Sequence, residues 1–178
     1  MRRAMLVLAV AGAMLALGGE TALADAPAVV ITGTAGDDEL RGTPYYDAIF
    51  AAAGDDRLDG RRGGDDLFGQ AGNDTFVDSA GDDLVRGGSG DDLFAGNPGD
   101  DAVFGGRGND ILLDDTGSDL FSSGPGNDRI SIPGFGPGPP QLMWEPDKVR
   151  CGPGFDRVLA HPVDLVAGDC EIVRRVGF

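Results

Sequence analysis

Aspartate recurs every nine residues across the middle of this chain of 178 residues. Carboxylates are hard oxygen ligands, so a regular row of them favours calcium, which takes roughly six to eight oxygens in flexible geometry. Magnesium would demand a stricter octahedron, and zinc is disfavoured because the loops offer almost no imidazole or thiolate. The predicted calcium ligands are Asp38, Asp47, Asp56, Asp65, Asp74, Asp83, Asp92, Asp101, Asp110, Asp119 and Asp128.

These aspartates belong to a nine-residue repeat that starts at Gly33 and runs through eleven units to Ser131 without insertion or deletion. Aspartate always holds the sixth position, and glycine holds the fourth in ten units, with Tyr45 as the exception. The glycines are Gly36, Gly54, Gly63, Gly72, Gly81, Gly90, Gly99, Gly108, Gly117 and Gly126. A large apolar residue always holds the eighth position: Leu40, Ile49, Leu58, Leu67, Phe76, Val85, Phe94, Val103, Leu112, Phe121 and Ile130.

The two parts of the repeat predict different backbone conformations. Positions one to six carry glycines that accept positive φ, so the chain can turn tightly and aim its carbonyl oxygens at one point. Positions seven to nine form a short strand, in which the eighth side chain points inward and its neighbours point outward. Two units make one coil of 18 residues with a strand on each side. The predicted fold is therefore all-β, with facing apolar rows as a thin core.

The pattern resembles the hemolysin-type (RTX) nonapeptide repeat, G-G-x-G-x-D-x-U-x, over the 99 residues from Gly33 to Ser131. The second unit departs furthest from it, with Tyr45 and Tyr46 in its turn. The resemblance implies a right-handed parallel β-roll, here of about 5.5 coils. It also implies that the Asp carboxylates and loop carbonyls of two stacked turns, including those of the fourth-position glycines, share each ion. That arrangement allows several calcium ions, at most about nine.

Stacking the coils brings like charges together. Aspartates of alternate units would lie about 4.8 Å apart, and two bare carboxylates at that distance repel by about 0.9 kcal/mol even in bulk water. A bound cation is therefore predicted between neighbours; the alternative is that each Asp only bonds the backbone of its own turn. Further acids at position five either add ligands or are solvated turn formers: Asp37, Asp55, Asp82, Asp91 and Asp100.

The first 24 residues have the features of a cleaved secretory signal peptide. They contain Arg2 and Arg3, an apolar run too short to span a bilayer, and the small-residue site Ala22–Ala24. The arginine pair leaves a twin-arginine export route open beside the general one. We therefore expect a secreted protein, extracellular or at the cell surface, with no membrane insertion after cleavage. The net charge of −16 disfavours nucleic acid and anionic lipid as partners.

The residues outside the repeats form three further segments. Residues 25–32 are an N-terminal lead-in, and residues 132–148 are a linker rich in proline and glycine. Residues 149–178 contain CGPGFDRVL, a degenerate copy of the repeat SGPGNDRIS, and are predicted to form a C-terminal cap that shields the last apolar layer. Cys151 and Cys170 are expected to form a disulfide in this cap, because an exported chain meets an oxidising compartment.

An outward apolar strip is expected on the even-numbered units. Either the C-terminal tail covers it through Leu142 and Trp144, or it mediates self-association or binding to a cell-surface or polysaccharide target. The strip comprises Ala48, Phe50, Phe68, Leu84, Ala102, Phe104 and Leu120.

The sequence predicts a protein that is not an enzyme. The only histidine, His161, has no nucleophile spaced near it and is expected to be a surface or cap residue. We expect a calcium-binding repeat protein that folds when it meets extracellular calcium and acts as a structural, surface or interaction module. One alternative is a polysaccharide-acting enzyme on a β-helix, which needs a basic cleft and longer coils. Another is an ice-binding or adhesive solenoid, and the ice-binding kind needs a flat ladder of threonines.

Overall fold

A computed structural model of the chain describes residues 28–77, 80–96, 98–113, 116–132 and 146–175. The predicted signal peptide, residues 133–145 of the predicted linker, and both Leu142 and Trp144 lie outside the described residues. Within the described ranges the regular structure consists of strands, and no helix there is long and apolar enough to cross a membrane. The all-β prediction is confirmed.

The strands alternate along the chain between two parallel sheets of eight strands each. The first sheet contains β1 (Val29–Thr32), β3 (Asp47–Phe50), β5 (Asp66–Ala71), β7 (Leu84–Ser89), β9 (Ala102–Arg107), β11 (Leu120–Ser122), β13 (Lys148–Arg150) and β15 (Leu165–Val166). The second contains β2 (Glu39–Arg41), β4 (Arg57–Asp59), β6 (Thr75–Val77), β8 (Leu93–Ala95), β10 (Ile111–Leu113), β12 (Arg129–Ile132), β14 (Arg157–Ala160) and β16 (Ile172–Arg175).

The strand register reproduces the repeat. Leu67 pairs with Val85, and Val85 pairs with Val103, so neighbours in a sheet are 18 residues apart. The eighth-position residues of the two sheets face each other, and all eleven of them are buried. The thin apolar core predicted from the sequence is confirmed, and it makes this chain a parallel β-solenoid with two strands per coil.

The solenoid is longer than the eleven repeats, which account only for β2 to β12. The lead-in supplies β1, and the segment predicted to be a cap continues both sheets as β13 to β16. The number of turns is therefore about seven rather than 5.5. Ile132 and Lys148, placed in the linker from sequence, belong to β12 and β13. The right-handed sense of the coil stays a prediction.

Three strands of the first sheet are twice as long as the predicted three residues. β5, β7 and β9 each contain six residues, because the second and third positions of the following unit also pair with a neighbouring coil. Gln70, at the second position, has a φ of +75°. The chain therefore bends into its turn while it still donates and accepts hydrogen bonds between coils.

The predicted disulfide joins Cys151 to Cys170, with Cα atoms 5.3 Å apart. Cys151 is fully buried in the core, directly after β13, and Cys170 packs against the same core just before β16. The bond therefore ties the last coils of the solenoid together at its C-terminal end.

The outward strip lies on the outer face of the first sheet. The rings of Phe50 and Phe68 stack with centroids 4.8 Å apart. The guanidinium of Arg86 lies 5.8 Å from the ring of Phe68 on one side and 5.5 Å from that of Phe104 on the other. Because each of these residues lies one coil from the next, the three aromatic rings and the guanidinium group form a continuous ladder along the solenoid.

Candidate metal centre

The predicted aspartates form two rows, one along each edge where the chain passes from one sheet to the other. Ten of the eleven are 0% to 3% exposed, and Asp38, in the first turn, is half-buried. Burial of so many carboxylates is exceptional, since Asp is almost never fully buried unless it is paired. The first row contains Asp38, Asp56, Asp74, Asp92, Asp110 and Asp128; the second contains Asp47, Asp65, Asp83, Asp101 and Asp119.

From Asp56 to Asp128, one oxygen of each carboxylate in the rows accepts a hydrogen bond from the preceding coil. The backbone N–H of Asp74 donates to Oδ1 of Asp92 at 2.8 Å, and that of Asp92 donates to Oδ1 of Asp110 at 2.9 Å. The same bond recurs along both rows at 2.5 to 3.0 Å. The sequence alternative, in which each Asp bonds its own turn, applies to the first coil, where Thr34 and Thr43 donate to Oδ2 of Asp38 and Asp47.

The other carboxylate oxygen lacks a hydrogen bond along most of the first row and at Asp119 in the second. A buried, unsatisfied carboxylate oxygen is costly, since it has lost water and gained no donor. A cation bound at each such oxygen would remove this cost, which is the fit expected of a metal ligand. The buried oxygens without a hydrogen-bond partner include Oδ2 of Asp56, Asp74, Asp92, Asp110, Asp119 and Asp128.

A backbone carbonyl accompanies several of these oxygens. A Cβ added to Gly69 would meet both Oδ2 of Asp74 and the carbonyl oxygen of Gly87 from the next coil. The equivalent position at Gly87 is bounded by Oδ2 of Asp92 and the carbonyl oxygen of Gly105. Carboxylate and carbonyl oxygens from two successive coils therefore converge, and this all-oxygen donor set fits calcium.

The fourth-position glycines make close stacking of the turns possible. Nine of the ten, all except Gly36, have φ between +120° and +159°. A Cβ at Gly90 would overlap the carbonyl oxygen of Gly72, the matching glycine one coil earlier. Their observed role is thus conformational and steric, and it brings the turns of neighbouring coils into contact.

Replacing Gly90 with alanine is expected to destabilise the calcium-loaded protein by roughly 2 to 4 kcal/mol, through positive φ and the overlap with Gly72. Gly168→Ala is the matched control, because a Cβ there meets nothing within 4 Å. Thermal unfolding followed by circular dichroism measures both. Equal melting temperatures for the two variants would contradict the steric role.

The position-five side chains form a separate, exposed ladder. Oδ1 of Asp55 accepts the N–H of Asn73 at 2.8 Å, and Oδ1 of Asn73 accepts that of Asp91 at 2.8 Å. Because asparagine and aspartate accept the same backbone hydrogen bond here, the ladder needs an acceptor oxygen rather than a charge. This arrangement supports the interpretation of these residues as turn formers.

Burial raises the pKa values of aspartates in the first row of the ion-free chain. It raises the pKa of Asp92 to about 7 and the pKa values of Asp56 and Asp110 to about 6, against the lowering effect of a backbone hydrogen bond. Neighbouring carboxylates raise these pKa values further. The ion-free fold therefore carries a penalty whenever these groups are ionised.

Acidification is expected to increase the β-structure of the calcium-free protein. Raised pKa values mean that the folded state binds more protons than the unfolded state between about pH 4 and pH 7, so stability falls as pH rises through that window. Circular dichroism of metal-free protein at about pH 5 and about pH 8 tests this. More structure at the higher pH would contradict it.

The rows continue past the predicted repeats through residues that the sequence analysis did not select. Asp147, Asp156 and Asp164 are 8%, 0% and 4% exposed. Asp119 N–H donates to Oδ1 of Asp147 at 2.9 Å, and Asp147 N–H donates to Oδ1 of Asp164 at 3.3 Å. A short sequence pattern could have identified them. Each is followed two residues later by valine, as in Asp147–Val149, and this spacing matches positions six and eight of the repeat.

His161 is buried rather than at the surface. Its backbone N–H donates to Oδ2 of Asp164 at 2.5 Å, and its carbonyl accepts from Arg175 at 2.8 Å. One other group of potential ligands in the described ranges combines Asp169 with Cys151 and Cys170, whose sulfurs are joined in the disulfide and offer no thiolate. The oxygen-lined rows are therefore the candidate metal centre.

Fold and rows together define a calcium-binding parallel β-solenoid. The RTX calcium-binding nonapeptide repeat matches residues 32–67, 68–103 and 95–130, which cover more than half of the chain. The chain belongs to this family. Its repeats bind Ca2+, the aligned aspartates fit several Ca2+ sites, and the family is generally structural rather than catalytic. No curated protein matches the chain.

Proposed function

We propose that this chain is a secreted structural module whose folding is coupled to extracellular calcium. The observation that carries the proposal is the row of buried Oδ2 atoms without a hydrogen-bond partner, as at Asp74, Asp92 and Asp110. Inside a cell, where calcium is scarce, the carboxylates would repel one another and disfavour the coil. Outside it, calcium binds the folded state alone and stabilises it.

Isothermal titration of the purified protein with calcium tests the binding step. We expect several ions per chain, bound cooperatively with midpoints on the order of 0.1 to 1 mM, as for other extracellular modules. Magnesium at the same concentrations serves as the control, because its strict octahedron suits these loops poorly. Absence of calcium-dependent heat would refute the proposal.

Secretion is a separate part of the proposal and rests on the sequence of residues 1–24. Expression of the full chain in a bacterial host, followed by N-terminal sequencing of the exported product, tests it. Cleavage after Ala24 is expected to give a chain that starts at Asp25. A product that stays in the cytoplasm with residues 1–24 attached would contradict export.

We propose that this protein contacts its partner through the ladder of Phe50, Phe68, Arg86 and Phe104. Sedimentation velocity of the calcium-loaded protein separates the two candidate partners. A concentration-dependent dimer would indicate self-association, whereas a monomer would favour a cell-surface or polysaccharide target.

The alternative function, a polysaccharide-acting enzyme, has less support than the structural role. A basic groove of about 380 Å³ on the outer face of the second sheet is lined by Arg129, Arg157 and Arg174, beside Ser131, Leu159 and Ile172. Its described lining offers no carboxylate or imidazole for acid–base chemistry. The coils also keep the short 18-residue register, which favours the structural role.

A further inference from the structure

The junction after the last matched repeat resembles those within the family segment. Asp128 and Asp156 are 28 residues apart, whereas neighbours in the repeats are 18 apart, so ten residues are inserted between the two coils. The family match ends at residue 130, before this junction is complete. Asp156 lies in the turn 151–156, which follows β13 and leads into β14.

The backbone contacts across this junction reproduce those of a regular one. Gly126 N–H donates to the carbonyl of Pro153 at 2.9 Å, as Gly108 N–H donates to that of Pro125 at 3.0 Å. Asp128 N–H donates to Oδ1 of Asp156 at 2.8 Å, as Asp110 N–H donates to Oδ1 of Asp128 at 2.9 Å.

The glycines and strands flanking this junction are also in register. Gly126 forms a parallel bridge with Gly154, and Arg129 pairs with Arg157 in the adjoining strands. The turn 151–156 therefore stacks on the turn 123–128 as one repeat stacks on another.

Asp156 has the feature that marks the metal ligands of the repeats. Its side chain is 0% exposed, and its Oδ2 is a buried oxygen without a hydrogen-bond partner. Its Oδ1 is already used by Asp128 N–H, and its own N–H donates to Oε2 of Glu171 at 2.7 Å. The remaining oxygen is thus left buried beside the row, with no donor to neutralise it.

We propose that a calcium site lies between the turns 123–128 and 151–156, beyond the matched repeats, with the carboxylates of Asp128 and Asp156 and the carbonyl oxygens of both turns as ligands. The inference rests on the proposed calcium-binding function. The ion clamps the solenoid across the ten-residue insertion, and with the Cys151–Cys170 disulfide it fixes the final coils onto the array.

Anomalous diffraction from crystals grown in calcium tests the site directly. We expect anomalous density between Asp128 and Asp156 in addition to density along the repeats, for example between Asp92 and Asp110. Asp156→Asn is expected to lose the first peak and keep the second. Asp169→Asn, which changes an exposed carboxylate near the same turn, is the matched control and is expected to keep both.

The density between Asp92 and Asp110 distinguishes a failure of this inference from a failure of the proposed function. Density along the repeats but none at Asp156 in the unaltered protein would overturn this inference and leave the proposed function intact. A peak that persists in Asp156→Asn would likewise overturn the assignment of that ligand. Absence of calcium density anywhere would overturn the proposed function and this inference together. The unaltered protein decides the question even if the variant does not fold.

Discussion

Removing calcium with excess chelator is expected to abolish most of the β-sheet circular dichroism of this protein. Within the eleven predicted aspartates, the nine adjacent pairs along the two rows would repel by a total of about 8 kcal/mol if all the carboxylates stayed ionised once the ions leave. That penalty is comparable with the whole stability of an ordinary domain, about 5 to 15 kcal/mol. Restoring millimolar calcium is expected to restore the signal, because the covalent chain is unchanged.

Two controls sharpen the chelator experiment. Chelator that has been saturated with calcium beforehand separates ion removal from binding of the chelator itself, and magnesium in place of calcium tests the ion preference. A spectrum that stays unchanged in calcium-free buffer near neutral pH would show that the coil is stable with its carboxylates bare. The coupling of folding to calcium would then be wrong.

Asp92→Asn is expected to lower the free energy of unfolding of the calcium-loaded protein by about 3 kcal/mol. The melting temperature is expected to fall by roughly 10 °C. The amide keeps the acceptor that Asp74 N–H uses, so the inter-coil hydrogen bond remains. It loses the charge at Oδ2, which is buried and otherwise unsatisfied, and so weakens the ions on both sides. Melting followed by circular dichroism in millimolar calcium measures the loss.

The matched control is Asp91→Asn, the same change one residue earlier. Asp91 is exposed, and Asn73 occupies the same repeat position with the same hydrogen bond, so a shift within about 0.5 kcal/mol is expected. In calcium-free buffer, where most of the β-structure is lost, Asp92→Asn is expected to retain more of it than Asp91→Asn, since it removes a buried charge from a repelling row. Destabilisation by Asp92→Asn in both buffers would show that its carboxylate acts through packing rather than through an ion.

Much of this architecture could be predicted from the period alone. A side chain at every eighth position, such as Phe94 or Val103, has to point inward once two units form a coil, and both are buried. The same geometry placed Asp92 beside Asp74 and Asp110. What the period could not give was the partner of each Oδ1, because a turn can bond its own backbone or that of a neighbouring coil equally well in sequence terms.

The C-terminal coils were underestimated for a related reason. A nine-residue repeat counted along the chain falls out of register at the ten-residue insertion. In space, however, Asp156 continues the first row and Asp147 continues the second. The short strands β13, with the sequence KVR, and β14, with the sequence RVLA, carry too little apolar signal to show their pairing without the preceding coils as a template. Local sequence therefore identified the unit, and stacking determined how far it extends.

The uniform 18-residue register has an evolutionary consequence. In the regular part of the array each coil contacts only the coils before and after it, and the junctions use the same donors and acceptors. Duplication or deletion of one coil-length of coding sequence there would create a junction chemically equivalent to the one it replaced. The number of coils can therefore change between lineages, so that related proteins of very different length can arise without any new interface.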